Sequence, residues 1–104
     1  MENTLDKTDY FDEWLDSLKD IVGKQAINVR IERAEGGNFG DCKWNIREGV
    51  SEMRIDVGPG YRLYFCQRGK NLYLLLVGGT KNQQQRAIDQ AIDFKMDLER
   101  ENRW

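Results

Sequence analysis

Hydrophobic residues between positions 9 and 22 recur with a helical period: Phe11, Trp14, Leu15, Leu18 and Ile21/Val22 follow i, i+3, i+4, i+7 spacing. The acids between them fall on the other side, so the stripe predicts an amphipathic helix over Asp9–Val22 with an acidic outer face. Gly23 interrupts it. A second helical pattern follows at Ala26, Ile27, Arg30, Ile31 and Ala34. Gly36 and Gly37 end it, because glycine readily supplies the left-handed residue at a helix end. Two helices joined so tightly read as an antiparallel hairpin.

Beyond Gly37 the period changes from helical to alternating. Met53, Ile55 and Val57 alternate with Glu52, Arg54 and Asp56, which predicts a half-buried strand over Ser51–Val57. Gly58-Pro59-Gly60 is a turn, since proline fixes one dihedral and glycine tolerates positive ones. Tyr61–Gln67 alternates again, with Tyr61, Leu63 and Phe65 on one side and Arg62, Tyr64 and Cys66 on the other. After a turn at Gly69, Leu72–Val77 is apolar throughout, as in a strand covered on both faces, and Gly78-Gly79-Thr80 closes it. Asn82 with Gln85 resembles a helix-capping pair. The stripe Ala87, Ile88, Ala91, Ile92, Lys95 and Leu98 predicts a last helix.

The expected fold is α+β and occupies residues 1–104 as one domain. A small antiparallel sheet of three or four strands is packed by the N-terminal helical hairpin, and a C-terminal helix follows. A weak pattern within Met1–Lys7 allows one more short strand.

A three-residue Gly58–Gly60 loop would pair Val57 with Tyr61. Met53 then faces Phe65 and Ile55 faces Leu63, while Arg54 lies across from Tyr64 and Asp56 across from Arg62. Directly opposed side chains sit about 4.5–5.5 Å apart at Cβ, so these polar groups would form one cluster. Lys43, Arg47 and Lys81 could border it. Spacing alone leaves two readings open. The cluster is either a solvated sheet face, or an anion site in which arginines grip a phosphate through paired N–H groups.

Composition narrows the chemistry. There are 16 Lys or Arg, 18 Asp or Glu, two cysteines and no histidine. The missing histidine excludes Ser-His-Asp and Cys-His catalysis, and two cysteines alone cannot hold a structural zinc. Cys42 and Cys66 are expected to be unreactive thiols. No run approaches the ~18 apolar residues that cross a bilayer. The charged start MENTLDKTDY lacks the apolar run of a signal peptide, so a cytoplasmic protein is expected. The net charge of −2 argues against a nucleic-acid partner until it is divided along the chain. Residues 1–20 carry two basic and seven acidic groups, whereas residues 41–86 carry eight and four, net +4. The predicted sheet is the basic part.

Three segments are distinctive: GNFGDCK at 37–43, GVSEMRIDVGPGYRLYF at 49–65 and LLLVGGTKNQQ at 74–84. With F-x-x-W-L-x-x-L at 11–18 and RIERAEGGNFG at 30–40, the chain resembles the RelE/HigB-type toxin superfamily. It is most similar to the phage-related addiction module killer proteins, over nearly its whole length. That resemblance implies a cytoplasmic toxin neutralised by a helix-turn-helix antitoxin. It also implies cleavage of mRNA in the ribosomal A site, by attack of a 2′-hydroxyl on the adjacent phosphate, with no metal or other cofactor and no membrane. Carried over to this sequence, it assigns Arg62 and Arg54 to charge stabilisation, with Lys81 and Lys43 orienting the phosphate or moving protons. Arg47, Tyr64 and Trp44 are the accompanying candidate RNA contacts.

Two departures stand out. RelE-like members often place a Tyr or His acid/base early in the last helix, where this chain has Arg86 and Ala87, and Glu52 stands where some relatives carry a second lysine. A gyrase poison of the ParE type and a non-catalytic phage-derived binding protein remain alternatives on the same scaffold. Trp104 would either tuck into the domain or serve an interface.

Overall fold

In a computed structural model that describes residues 2–102, the chain runs β1 (Thr4–Lys7), α1 (Asp9–Ser17), α2 (Ile21–Glu35), β2 (Cys42–Arg47), β3 (Val50–Ile55), β4 (Tyr61–Gln67) and β5 (Leu72–Thr80). A short 3-10 turn, Lys81–Gln83, leads into α3 (Gln84–Arg100). Met1 and Trp104 lie outside the described residues.

The sheet has five strands in the order β1-β5-β4-β3-β2. It is mixed rather than purely antiparallel: β2 to β5 form an antiparallel meander, and β1 adds to β5 in parallel. The short strand allowed within Met1–Lys7 is present as β1, and with the four-stranded meander it makes five. β1 buries only Leu5, and β2 is an exposed edge strand with an irregular register, so neither carries a strong alternation.

Both faces of the sheet are covered. On one, Met53, Ile55, Tyr61, Leu63, Phe65 and Leu75 pack against Phe11, Leu15, Ile27, Ile31 and Ala34 of α1 and α2. On the other, Val50, Tyr64, Cys66, Leu74, Leu76 and Val77 pack against Ala87, Ala91 and Ile92 of α3. The second face is therefore a second core rather than a wet surface. α1 lies on β5 and β1, and α2 reaches β1 and β3, so the two helices share the sheet as a floor instead of forming a tight hairpin with each other.

The first helix is shorter than its apolar stripe. Asp20 accepts the Gly23 N–H at 3.0 Å and starts a new helix, leaving Leu18 as the cap of α1. Ile21 and Val22 are consequently exposed residues of the first turn of α2. Gly23 lies inside α2, and a side chain is excluded there because a Cβ would fall 2.6 Å from the Tyr61 ring. Asp20 also accepts the Tyr61 hydroxyl at 2.7 Å. That bond, followed by the Gly23 N–H, holds its carboxyl below the usual carboxylate range.

Gly78 and Gly79 likewise belong to β5 rather than closing it. A Cβ on Gly78 would lie 2.2 Å from the Trp14 ring, and one on Gly79 would lie 3.2 Å from Gln83 Oε1. Helices press on the strand from both sides here, and only glycine leaves the room. Gly78→Ala is expected to destabilise the protein by about 1–3 kcal/mol through overpacking. Because the clash is with one ring, urea denaturation should show most of that loss disappearing in a Trp14→Ala background.

Candidate anion site

The β3–β4 pairing sets the site, and its register differs from the expected one by two residues. Arg54 lies directly across from Arg62, and Glu52 across from Tyr64. The loop runs from Asp56 to Gly60, with Gly58 and Gly60 at positive φ. A slide of two residues keeps every side chain on its predicted face, so apolar and polar partners both change while the faces do not: Met53 now pairs with Leu63 and Ile55 with Tyr61. On its other flank Arg62 pairs with Gly79, which offers no side chain. The Lys81 N–H donates to the Gly60 carbonyl at 2.8 Å, tying the start of the 3-10 turn to the hairpin loop. Thr80 and Gln83, rather than Asn82 and Gln85, form the capping box there, with the Thr80 N–H donating to Gln83 Oε1 at 3.0 Å.

These constraints leave an open cavity of about 570 Å³ where α3 begins, lined by Arg54, Asp56, Arg62, Lys81, Gln84 and the Gly58-Pro59-Gly60 turn. Three cations and one carboxylate share it. Arg62 is only 6% exposed. Its Nη1 donates to the Tyr61 carbonyl at 3.0 Å and to Asp56 Oδ1 at 3.3 Å, while its buried Nε has no hydrogen-bond partner. Burying a guanidinium with an unpaired donor costs free energy, which an anion held at the cavity-lining part of Arg62 would offset.

Behind Arg54 lies a buried carboxylate. Glu52 is 1% exposed and accepts from Arg54 Nε at 2.8 Å, the Tyr64 hydroxyl at 2.9 Å and Gln84 Nε2 at 2.7 Å. Burial alone would raise its pKa, but the three hydrogen bonds outweigh it and hold the group below the usual carboxylate range. Glu52 thereby fixes the orientation of Arg54 at the cavity edge. Burial, then the bond to Glu52, pushes the Tyr64 hydroxyl well above its ordinary pKa.

The sequence candidates thus divide. Arg54, Arg62 and Lys81 come together. Lys43 pairs in register with Glu52 on the same face but is exposed and does not line the cavity. Arg47 forms an ion pair with Asp89 of α3. Tyr64 is wholly buried and offers no face to stack on a base. Trp44 packs against Phe39, Phe65 and Tyr73 on the opposite side of the sheet. Gln84 is a site residue that periodicity did not single out, because its role depends on where α3 docks. Arg30 is also structural: it donates to the carbonyls of Arg54, Phe39 and Asp41, pinning the segment between α2 and β2.

No protein-family model matches the chain. Over 81 residues it is 47% identical to a Haemophilus influenzae protein named "Uncharacterized protein", covering 78% of this chain and 81% of that one. The chain belongs to that protein's family. Neither thiol lines the cavity: Cys42 and Cys66 are free, and burial pushes them up to about 11 and about 12. Among the described residues no group of His, Cys, Asp and Glu is placed to hold a metal ion, and no helix is long and apolar enough to cross a membrane.

Proposed function

We propose that this protein is the toxin of a type II toxin–antitoxin pair, a cytoplasmic, metal-independent, ribosome-dependent mRNA endonuclease with a RelE-like fold. The observation that carries the reading is Arg62: nine-tenths buried, with an unpartnered Nε, in a cavity that it shares with Arg54 and Lys81. Three cations around one opening are what a phosphodiester needs as it gains negative charge in an in-line displacement. Two of them are arginines, which stay charged at any physiological pH and grip phosphate oxygens in pairs. The charge stabilisation that a metal would supply is thus assigned to side chains, and no histidine is required for it. The sequence resemblance to addiction module killer proteins points the same way. Its antitoxin partner would be a helix-turn-helix protein encoded beside it.

Induced expression followed by mapping of new 5′ ends in cellular mRNA tests the reading. Cuts in register with codons are expected, together with growth arrest relieved by co-expression of the neighbouring helix-turn-helix protein. DNA-damage signalling without mRNA cuts would instead identify a gyrase poison. Arrest with neither, or no arrest, would leave a non-catalytic binding protein.

A further inference from the structure

We propose that Asp56 accepts the proton of the attacking ribose 2′-hydroxyl, an assignment that rests on the mRNA-cleavage reading of the same cavity. Cleavage of this kind needs a group that can take a proton at neutral pH. Arg54 and Arg62 cannot, because a guanidinium stays protonated, and Lys81 is assigned to the leaving oxygen as proton donor. Glu52 is closed off, with both oxygens occupied by Arg54, Tyr64 and Gln84. Tyr64 is buried and spends its hydroxyl on Glu52. Among the residues that line the cavity, Asp56 is the carboxylate that remains.

Its placement fits the role. The Asp56 side chain is 72% exposed, and among the described residues it accepts a hydrogen bond from Arg62 Nη1 at 3.3 Å. A carboxylate has about four acceptor positions, so most of its capacity is open to a substrate hydroxyl. In a ribonucleotide the 2′-oxygen sits on the carbon next to the one that carries the 3′-phosphate. A phosphate held on the Arg62 guanidinium therefore brings that hydroxyl beside the carboxylate sharing the same guanidinium. Arg30 from α2 and Arg54 from β3 interact electrostatically with Asp56, and Lys81 lines the same cavity, so a phosphate beside the carboxylate would be surrounded by positive charge.

The step balances. The 2′-oxygen gives its proton to Asp56 and forms the bond to phosphorus as the bond from phosphorus to the 5′-oxygen breaks. The 5′-oxygen keeps that electron pair and takes a proton from Lys81 Nζ. The products are a 2′,3′-cyclic phosphate and a 5′-hydroxyl. DNA, which lacks the 2′-hydroxyl, would bind and survive.

Single-turnover cleavage of a labelled mRNA, supplied free and in the A site of programmed ribosomes, tests this. Asp56→Asn should lower the rate by about 100-fold or more, the contribution expected of a positioned base. It should bind an mRNA with 2′-deoxyribose at the cut site within about twofold of wild type, since only the chemical step is removed. Asp56→Glu, which keeps a carboxylate, should restore part of the lost rate. Near-wild-type cleavage by Asp56→Asn, with Arg62→Ala inactive, would overturn the proposal and spare the nuclease reading. A parallel loss of deoxy-mRNA binding would reduce Asp56 to a residue that positions Arg62, and also overturn it. An intact mRNA with wild-type protein in both settings would overturn proposal and reading together.

Discussion

Arg62→Ala should abolish growth arrest and lower mRNA cleavage by about 10²–10³-fold, the usual cost of removing one preorganised donor from a developing oxyanion. The fold should survive the substitution. Arg62 is buried, but its Nε is unpaired and its ionic partner Asp56 is 72% exposed, so the side chain contributes little net stability. Thermal denaturation and circular dichroism should therefore change little, while affinity for a phosphate-bearing oligonucleotide falls. Arg62→Lys separates charge from geometry. A lysine keeps the charge but lacks the paired N–H groups, and should recover only part of the rate. A folded, well-expressed Arg62→Ala protein that still arrests growth would remove Arg62 from the site.

The second large effect concerns stability. Glu52→Ala would leave Arg54 Nε, the Tyr64 hydroxyl and Gln84 Nε2 without their acceptor. Breaking a buried ion pair by deleting one partner costs about 3–5 kcal/mol, and water reaching Arg54 places this case at the lower end. That is a large share of the ~5–15 kcal/mol typical of a domain. Glu52→Gln keeps the shape and one acceptor, and should fall between wild type and Ala. The same group gives a pH signature. Its folded pKa is depressed, so its stabilisation is fully present above the ordinary glutamate value of about 4.3 and is lost as the pH falls through the folded value. Urea midpoints measured from neutral to acid pH should decline less steeply in the Gln variant. Identical slopes would show that the Glu52 network is not what the acid limb reports.

Much of this arrangement is legible in the sequence. Alternation in 51–57 and 61–67 put Arg54 and Arg62 on one face and Met53, Ile55, Leu63 and Phe65 on the other, and that sidedness holds, although α3 covers the first face as a second core. The stripe from Ala87 to Leu98 forms α3, and Phe11 and Leu15 are core. Other features resisted because the decisive interaction is not local. The stripe continued through Ile21 and Val22, but an aspartate cap and the Tyr61 ring ended α1 early. The paired glycines read as a turn, yet they are strand residues thinned to admit Trp14 and the start of α3. Edge strand β2 buries too little to announce itself, and β1, which buries only Leu5, left just the weak pattern within Met1–Lys7.

The sequence by itself therefore determined the faces: which residues point together, where the chain turns, and that positive charge gathers in the sheet between acidic ends. Periodicity carries that information because a side chain's direction alternates along a strand whatever the strand pairs with. Only the tertiary structure decided the partners. A shift of two residues leaves the hydrophobic pattern unchanged, so register, the meeting of Arg54 with Arg62, and the burial of Glu52 beneath them were set by loop geometry and by the docking of α3.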